Sequence, residues 1–517
     1  MTSTSLKARL AAALPKDSQY ILHHISTCPT KCPALFAAPP GQEPEDTYCE
    51  SHFLSVSIEN DNKYIQIFAL EVLIYTTLRL TTLFVSKADS TGYLHLLNIG
   101  RGSASPLKTI ATTFLQYLID IRARKGRRLV LSLFARAQNQ YLFPGSVENS
   151  QKHVLDDRGL IRWWCRVVDP ILEKQNSSRD QIEDEVGRSD AGKAEREAQA
   201  YIRVPGYDAY GTKTFFPRDV CKQASISKRW KVGDPLIELS TSPNLPERCM
   251  IPRFPDDPKA RFMDTLDEEL PDENRPLSQN LSQESIKRGD EGKWRSIRSL
   301  EQFWEAMSFR QECSSGRLVG FIWAVFPSIL GNQENGMAFC SAKESEEQRG
   351  DQPSPETQDA PRTTPQSQDH QSDSTATEPP EETIHYLWPK RGRGEVLLPA
   401  KEYDEAGKFL LSLDYTDLAA AVESTSRWIA DIGRKGHVER WGQVIIGEKQ
   451  ALTMSQKVSS LESSTNLLSA GLVRKKKRQA GGDEHLERAQ RSEVNDLSHS
   501  LVRKKAKLNE IPLKSEG

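Results

Sequence analysis

Long hydrophobic runs are missing from this sequence of 517 residues: none approaches the roughly eighteen apolar residues of a membrane-spanning helix. A secretory leader is missing too, because no basic stretch followed by an apolar run and a cleavage site opens the sequence. Together these absences point to a soluble protein that is not secreted. Charge of one sign is also scarce, with a formal net charge of −2, so no overall attraction to nucleic acid follows. Hydrophobic residues make up only 37% of the chain against 27% charged, which implies that disordered segments dilute an ordinary core.

Cysteine is sparse. The eight cysteines are scattered, which fits reduced thiols better than a disulfide framework. One cluster stands apart: Cys28, Cys32, Cys49 and His52, preceded by His23 and His24, offer the ligand types of a structural zinc site, the first pair spaced CxxxC. The segment reads more readily as small thiols in a Pro-rich loop, and no metal is expected.

Residues 341–383 contain no Val, Ile, Leu, Met, Phe, Trp or Tyr, and such a segment cannot bury enough apolar surface to offset its ordering entropy. A disordered insert is therefore expected over about 334–383. It interrupts a fold, since ordered signals return at His385-Tyr386-Leu387-Trp388-Pro389 and continue through a helical pattern over 403–432 that ends in Gly433. A second polar stretch, 173–199, reads as a charged loop or a solvated charged helix. From Gly471 onward twelve Lys and Arg exceed seven Asp and Glu by five, with basic runs at 474–478 and 503–507 of the nuclear-import kind.

Turning to the folded part, 53–58 alternates as a strand, 64–80 is apolar with a β-branched bias, and 82–86 reads as a buried strand. A turn-rich loop over 87–105 leads into a helix whose Leu107, Ile110, Ala111, Phe114, Leu115, Leu118 and Ile119 recur at three- and four-residue spacing. Ser105 suits its N-cap and Pro106 its first turn. Residues 129–134 and 321–326 read as further buried strands. The length accommodates two or three average domains or one large one, and the order strand, loop, helix, strand implies an α/β core with a loop aimed at a helix N-terminus.

Several residue groups in this framework can carry chemistry. Gly100-Arg101-Gly102-Ser103-Ala104-Ser105 stands just before the helix: glycines admit a ligand close to the backbone, free N–H groups attract anions and Arg101 adds a phosphate-binding fork. Plain caps and turns produce the same pattern. Asp89 ends a strand, where it can orient a ligand or simply form a turn. Asp256 and Asp257 can hold a cationic lysine and raise each other's pKa, while Asp257 before Pro258 is equally a helix cap. Tyr207, Tyr210, Phe215, Phe216 and Trp230 suit the walls of a lysine channel, with core packing as the default for each ring. Trp163 and Trp164 read as core.

Tyr141-Leu142-Phe143-Pro144-Gly145-Ser146, His153-Val154-Leu155-Asp156-Asp157-Arg158-Gly159-Leu160-Ile161 with Trp163-Trp164, the 255–262 segment and Met307-Ser308-Phe309-Arg310-Gln311-Glu312 together resemble the fungal Regulator-of-Ty-transposition family of histone acetyltransferases. The resemblance implies a fold similar to that of CBP-type acetyltransferases: α/β, a single large domain with a central mixed β-sheet surrounded by helices. It places the acetyltransferase domain at 1–445, with a charged loop insert at 173–199, the disordered insert at 334–383, and a disordered basic tail at 446–517. It implies acetyl-CoA as co-substrate, held by Ala88, Asp89, Ser90, Ile99, Gly100, Arg101, Gly102, Ser103, Arg203 and Val204. It also implies that Asp89, Tyr207, Trp230, Asp256 and Asp257 line the transfer site, and that Lys259 is acetylated by the enzyme itself.

By the same resemblance the substrate is histone H3 within H3–H4, presented by an anti-silencing-type and a nucleosome-assembly-type chaperone in the nucleus, with no direct DNA binding. The chemistry expected is direct attack by a lysine amine, without an acyl-enzyme. The competing expectation is a non-catalytic chaperone or chromatin adaptor that keeps the fold. The enzymatic reading requires Asp89, Trp230 and Asp257 to face a common cavity.

Overall fold

The computed structural model describes residues 5–97, 99, 105–186, 197–218, 223–270, 292–310, 317–328 and 379–450. Its strands are β1 (Gln19–Ser26), β2 (Thr30–Cys32), β3 (Thr47–Asn60), β4 (Lys63–Thr76), β5 (Leu80–Ser90), β6 (Arg128–Arg136), β7 (Gln199–Arg203), β8 (Trp230–Val232), β9 (Val319–Phe326), β10 (Val396–Leu397) and β11 (Gln443–Ile446). They form one mixed sheet in the order β10-β1-β3-β4-β5-β6-β9-β7-β8, with β11 also on β1 and β2 on β3. The longer helices are α1 (Leu6–Ala13), α2 (Pro106–Arg122), α3 (Asp157–Val186), α4 (Pro258–Asp267), α5 (Leu300–Met307), α6 (Ala400–Leu410) and α7 (Leu418–Lys435).

A period of two explains the central strands. In β9 every residue is buried: Ile322, Ala324 and Phe326 join the core under α2 and α3, while Phe321, Trp323 and Val325 join a second core under α4 and α5. Strands covered on both faces read as continuous apolar runs, which is why 321–326 was legible. The amphipathic stripe of α2 buries Ile110, Phe114, Leu115 and Leu118. Removing a ring such as Phe114 costs about 3–5 kcal/mol through lost transfer energy and the cavity left behind.

One topological feature positions the site. β5 and β6 are parallel, joined through α2 as a parallel pair requires. Their pairing stops at Val85↔Leu133, whereas β5 continues beside β4 to Phe68↔Ser90, past an irregularity at Ser86. The strands therefore splay at their carboxyl ends, below the start of α2.

Several expected boundaries move. Residues 87–90 are strand, not loop. The pattern over 403–432 resolves into α6 and α7, and α7 runs through Gly433 to Lys435. Of the two readings of the polar stretch, 173–186 take the helical one and continue α3, in keeping with the high helix propensity of Glu, Lys, Gln and Arg; 187–196 lie outside the described residues. Of the expected insert, 334–378 lie outside the described residues, while 379–383 are described: Glu382 pairs with Leu387 and Thr383 N–H donates to Tyr386 C=O at 2.9 Å. It also continues past 445, because Lys449 N–H donates to Leu14 C=O at 2.9 Å.

Residues 30–32 and 47–60 are paired strands, and the Pro-rich loop is confined to 33–46 between them. Cys49 packs with Cys32 beneath Tyr75 and Phe254, whereas His52 faces His24, 3.0 Å away, on the side of Phe114. The zinc candidates thus point to opposite faces of β3, and among the described residues no His/Cys/Asp/Glu group is arranged to hold a metal.

Candidate active site

A cavity of about 1120 Å³ fills the splay. One wall is β5 from Val85 to Ser90; another is the end of β6 with Phe134, Arg136 and Ala137; Leu160, Trp163 and Trp164 of α3, with Ser105, Pro106 and Leu107 at the start of α2, enclose the rest. Ligand pockets for small molecules run to about 1,000 Å³, so the space is of the size a large cofactor needs. Beyond Val85, alternate β5 residues turn N–H and C=O groups away from β4, available to an extended ligand. At the mouth, Ser105 occupies the N-cap of α2 without a side-chain capping bond, which leaves first-turn N–H groups for an anion. Burial, together with Arg166 and Lys449 nearby, lowers the pKa of Lys108 in that turn, a gathering of cations that an anion would relieve.

Asp89 works on the wall itself. Its Oδ2 accepts the backbone N–H groups of Tyr141, Leu142 and Phe143 at 2.7, 2.9 and 3.3 Å, and its Oδ1 takes Lys152 Nζ at 2.9 Å. Lys152 is buried and also donates to Ser146 Oγ at 2.8 Å. Gly92 permits this closeness: with φ at +93°, its Cβ would lie 2.7 Å from the Lys152 backbone. Lys87, opposite, is paired with Glu71 at 2.8 Å, and Glu71 accepts from the buried Tyr403 hydroxyl at 3.1 Å. Burial alone would lower the Lys87 pKa, and Glu71 more than offsets it.

Of the residues expected at the site, Ala88, Asp89, Ser90 and Ile99 line the cavity, while Gly100, Arg101, Gly102 and Ser103 lie outside the described residues. Arg203 points elsewhere, to Glu301 at 2.5 Å and Asp234 at 3.7 Å, and Val204 is core. Tyr207 packs on Phe215 and accepts a hydrogen bond from Arg158, without reaching the cavity wall. Trp230 is buried with its Nε1 donating to Asp169 of α3 at 2.8 Å. Asp257 caps α4, accepting Lys259 N–H at 2.9 Å and the Lys259 ammonium as well.

That last pair belongs to the other face of the sheet. Lys259 Nζ sits 4.5 Å from the Phe321 ring and 5.8 Å from that of Phe254, and burial lowers its pKa against the opposing pull of Asp257. Trp230 and Asp257 thus lie on opposite sides of the sheet, and of the five expected transfer-site residues Asp89 alone lines this cavity. Asp256 comes nearer: held at φ +57°, it is close enough to raise the pKa of Tyr141, whose main cause is burial, and of Lys87. A ring relay, Phe134 to Phe84 at 6.1 Å and Phe84 to Phe254 at 4.1 Å, joins the cavity to Lys259.

Sequence reasoning missed Lys152, Tyr141 and Arg136; Trp163 and Trp164 belong to the core as expected and also form part of the cavity wall.

A large cavity at the carboxyl ends of a parallel strand pair, opening on a helix N-terminus, stands where open α/β sheets take up their ligands. The family model described as the histone acetyltransferase KAT11-type domain matches residues 6–129 and 120–431. The chain is 40% identical over 509 residues to "Histone acetyltransferase rtt109" of Aspergillus flavus, spanning 91% of this chain and 88% of that relative. It is 32% identical over 304 residues to the protein of the same name from Schizosaccharomyces pombe, covering 58% and 66% respectively. The crystal structure of Rtt109 from Aspergillus fumigatus superposes with a TM-score of 0.67 at 40% identity, over 86% of this chain and all of that one.

The chain belongs to the Rtt109 family of histone acetyltransferases, enzymes that acetylate lysine. Family and fold class are those the sequence motifs implied; the expected common cavity for Asp89, Trp230 and Asp257 is not met, since only Asp89 lines this one, and it is the family match that sets aside an adaptor without enzymatic activity.

Proposed function

We propose that the splay between β5 and β6 binds acetyl-CoA and that the chain acetylates lysines of histone H3 carried as H3–H4. The observation that carries this reading is the cavity itself, walled by unpaired β5 backbone and ending at the uncapped start of α2. Ala88 and the Ser90 carbonyl would pair with the amides of the extended arm, the Ser90 N–H being held by Asp89 Oδ1 at 2.7 Å, and the first turn of α2 with Lys108 would hold phosphate oxygens. Acetyl-CoA supplies the acyl group as a reactive thioester.

The residues do the rest. A free lysine has a pKa of roughly 10.4 and must shed a proton before its amine can attack. Asp256 draws the cation in, and the aromatic surroundings disfavour its charged form. Direct attack is supported because none of the described cysteines lines the cavity, and the pKa of Cys165 is pushed up by burial.

Lys259, one aromatic layer away, is the residue proposed for self-acetylation; acetylation would abolish its charge and its hold on Asp257. The partners proposed are the two chaperone classes, which would present H3–H4 with the basic C-terminal tail meeting their acidic surfaces, in the nucleus and without direct DNA binding. The test is mass spectrometry of H3–H4 incubated with acetyl-CoA, the full chain and each chaperone in turn. Acetyl groups on H3 lysines are expected; their absence with both chaperones would overturn the substrate assignment.

A further inference from the structure

Three long cationic side chains line the cavity: Lys87, Lys152 and Arg136. Two have dedicated carboxylates, Glu71 for Lys87 and Asp89 for Lys152. Arg136 has none. Among the described residues its guanidinium forms no ion pair, its Nε is buried without a hydrogen-bond partner, and it packs against the Phe134 ring with the centroid 5.9 Å away. Arginine carries five N–H donors and no acceptor, so a partly buried one without a carboxylate is poised for an acceptor that enters from outside.

Its position says which acceptor. On β6, Leu131, Leu133 and Ala135 face the core beneath α2 and α3, whereas Phe134 packs toward Phe84 on the other face. Arg136, two residues on from Phe134, shares that face. The anion site at the start of α2 is therefore on the opposite side of the sheet. Arg136 shares the cavity wall with Tyr141 and Lys87, and the charge of Asp256 bears on Tyr141 as that of Arg136 does; these are the groups that would meet an incoming amine.

Resting on the function proposed above, we infer that Arg136 is a catalytic residue of acetyl transfer: its guanidinium donates to the acyl oxygen and takes up the negative charge that grows there as the amine adds. The N–C bond forms and the C–S bond breaks, with the electron pair leaving on sulfur. The ammonium proton is lost to solvent and the thiolate is protonated in turn, so Arg136 neither gives nor accepts a proton. Fixed donors aimed at a developing oxyanion are worth about 100- to 1,000-fold in rate.

The experiment compares full-length protein with Arg136→Met, Arg136→Gln and Arg136→Lys on chaperone-bound H3–H4, reading kcat, the affinity for CoA by calorimetry, and thermal unfolding. For Met and Gln the expected result is a kcat lower by about 100-fold with CoA affinity within twofold, and for Lys an intermediate loss. Weakened CoA binding at unchanged kcat would make Arg136 a phosphate ligand and overturn the inference, as would a kcat within threefold of wild type in any folded charge-removing variant. If the Met variant does not fold, Gln decides by the same criterion. Failure of the unaltered protein to acetylate H3 would instead fall on the proposed function.

Discussion

Replacing Asp89 separates a residue that builds the cavity from one that takes part in the chemistry. Its carboxylate accepts three backbone N–H groups from 141–143 and neutralises Lys152, whose side chain is 4% exposed. Removing one partner of a buried ion pair costs about 3–5 kcal/mol, because the other charge stays buried and unpaired. Asp89→Ala should lie near the lower end, about 3 kcal/mol, since Ser146 still accepts from Lys152. Asp89→Asn keeps an oxygen for the backbone donors and loses only the charge, so about 2 kcal/mol is expected. Combining Asp89→Asn with Lys152→Met should recover part of that loss, a coupling that a double-mutant cycle reads directly. Urea unfolding measures the free energies, and hydrogen exchange at Tyr141, Leu142 and Phe143 reports whether the wall has loosened. If Asp89→Asn leaves stability and exchange unchanged yet abolishes acetyl transfer, the wall-building role is refuted and Asp89 acts on the substrate itself.

Further consequences can be checked on the same footing. Burial drives His23 down to about 4, so between pH 6.5 and 4 the unfolded chain binds a proton that the folded chain refuses. The stability His23 provides is complete above pH 6.5 and is lost as pH falls through that window, about 3 kcal/mol in all, and His23→Phe should flatten urea midpoints measured across it. Lys259→Met strands the Asp257 carboxylate and should destabilise by about 3 kcal/mol, partly restored when Asp257→Asn is added; equal losses in both variants would deny the coupling. Gly92→Ala drives a methyl into the Lys152 backbone at a left-handed φ, so about 2 kcal/mol and a measurable drop in CoA affinity by calorimetry are expected.

The legible parts of this protein were those governed by periodicity or by long contiguous motifs. The stripe of α2 and the apolar runs of β4 and β9 announce themselves because each residue's environment follows from its neighbours in sequence. What escaped depends on long-range pairing. Lys152 is one lysine in a polar loop, and only the fold brings it to Asp89, 63 residues away. Arg136 is one more cation after a strand, and nothing in the sequence says that among the described residues it has no carboxylate partner. Trp163 and Trp164 were read as core, which they are, but the sequence does not show that this part of the core also walls a cavity. Motif membership grouped Trp230 with Asp257, and only the fold shows that one anchors α3 through Asp169 and the other caps α4 across the sheet.

That separation follows from the sheet. A cavity lodged in a strand splay has an opening toward each face, and here the faces differ in chemistry. The α2 side offers N–H groups and Lys108; the other offers Asp256, Tyr141 and Arg136, backed by the aromatic layer that encloses Lys259. Asp89 and Lys152 neutralise each other, and so do Lys87 and Glu71, so both pairs can brace the gap without adding net charge to it. The residual charge at the acceptor end then comes from Asp256 and Arg136, one fit to attract an ammonium and the other to stabilise an oxyanion. Two such groups assist a single transfer only if their targets are adjacent atoms, the nitrogen that attacks and the oxygen of the carbon it attacks. A variant with both removed should therefore lose less than the product of the single losses.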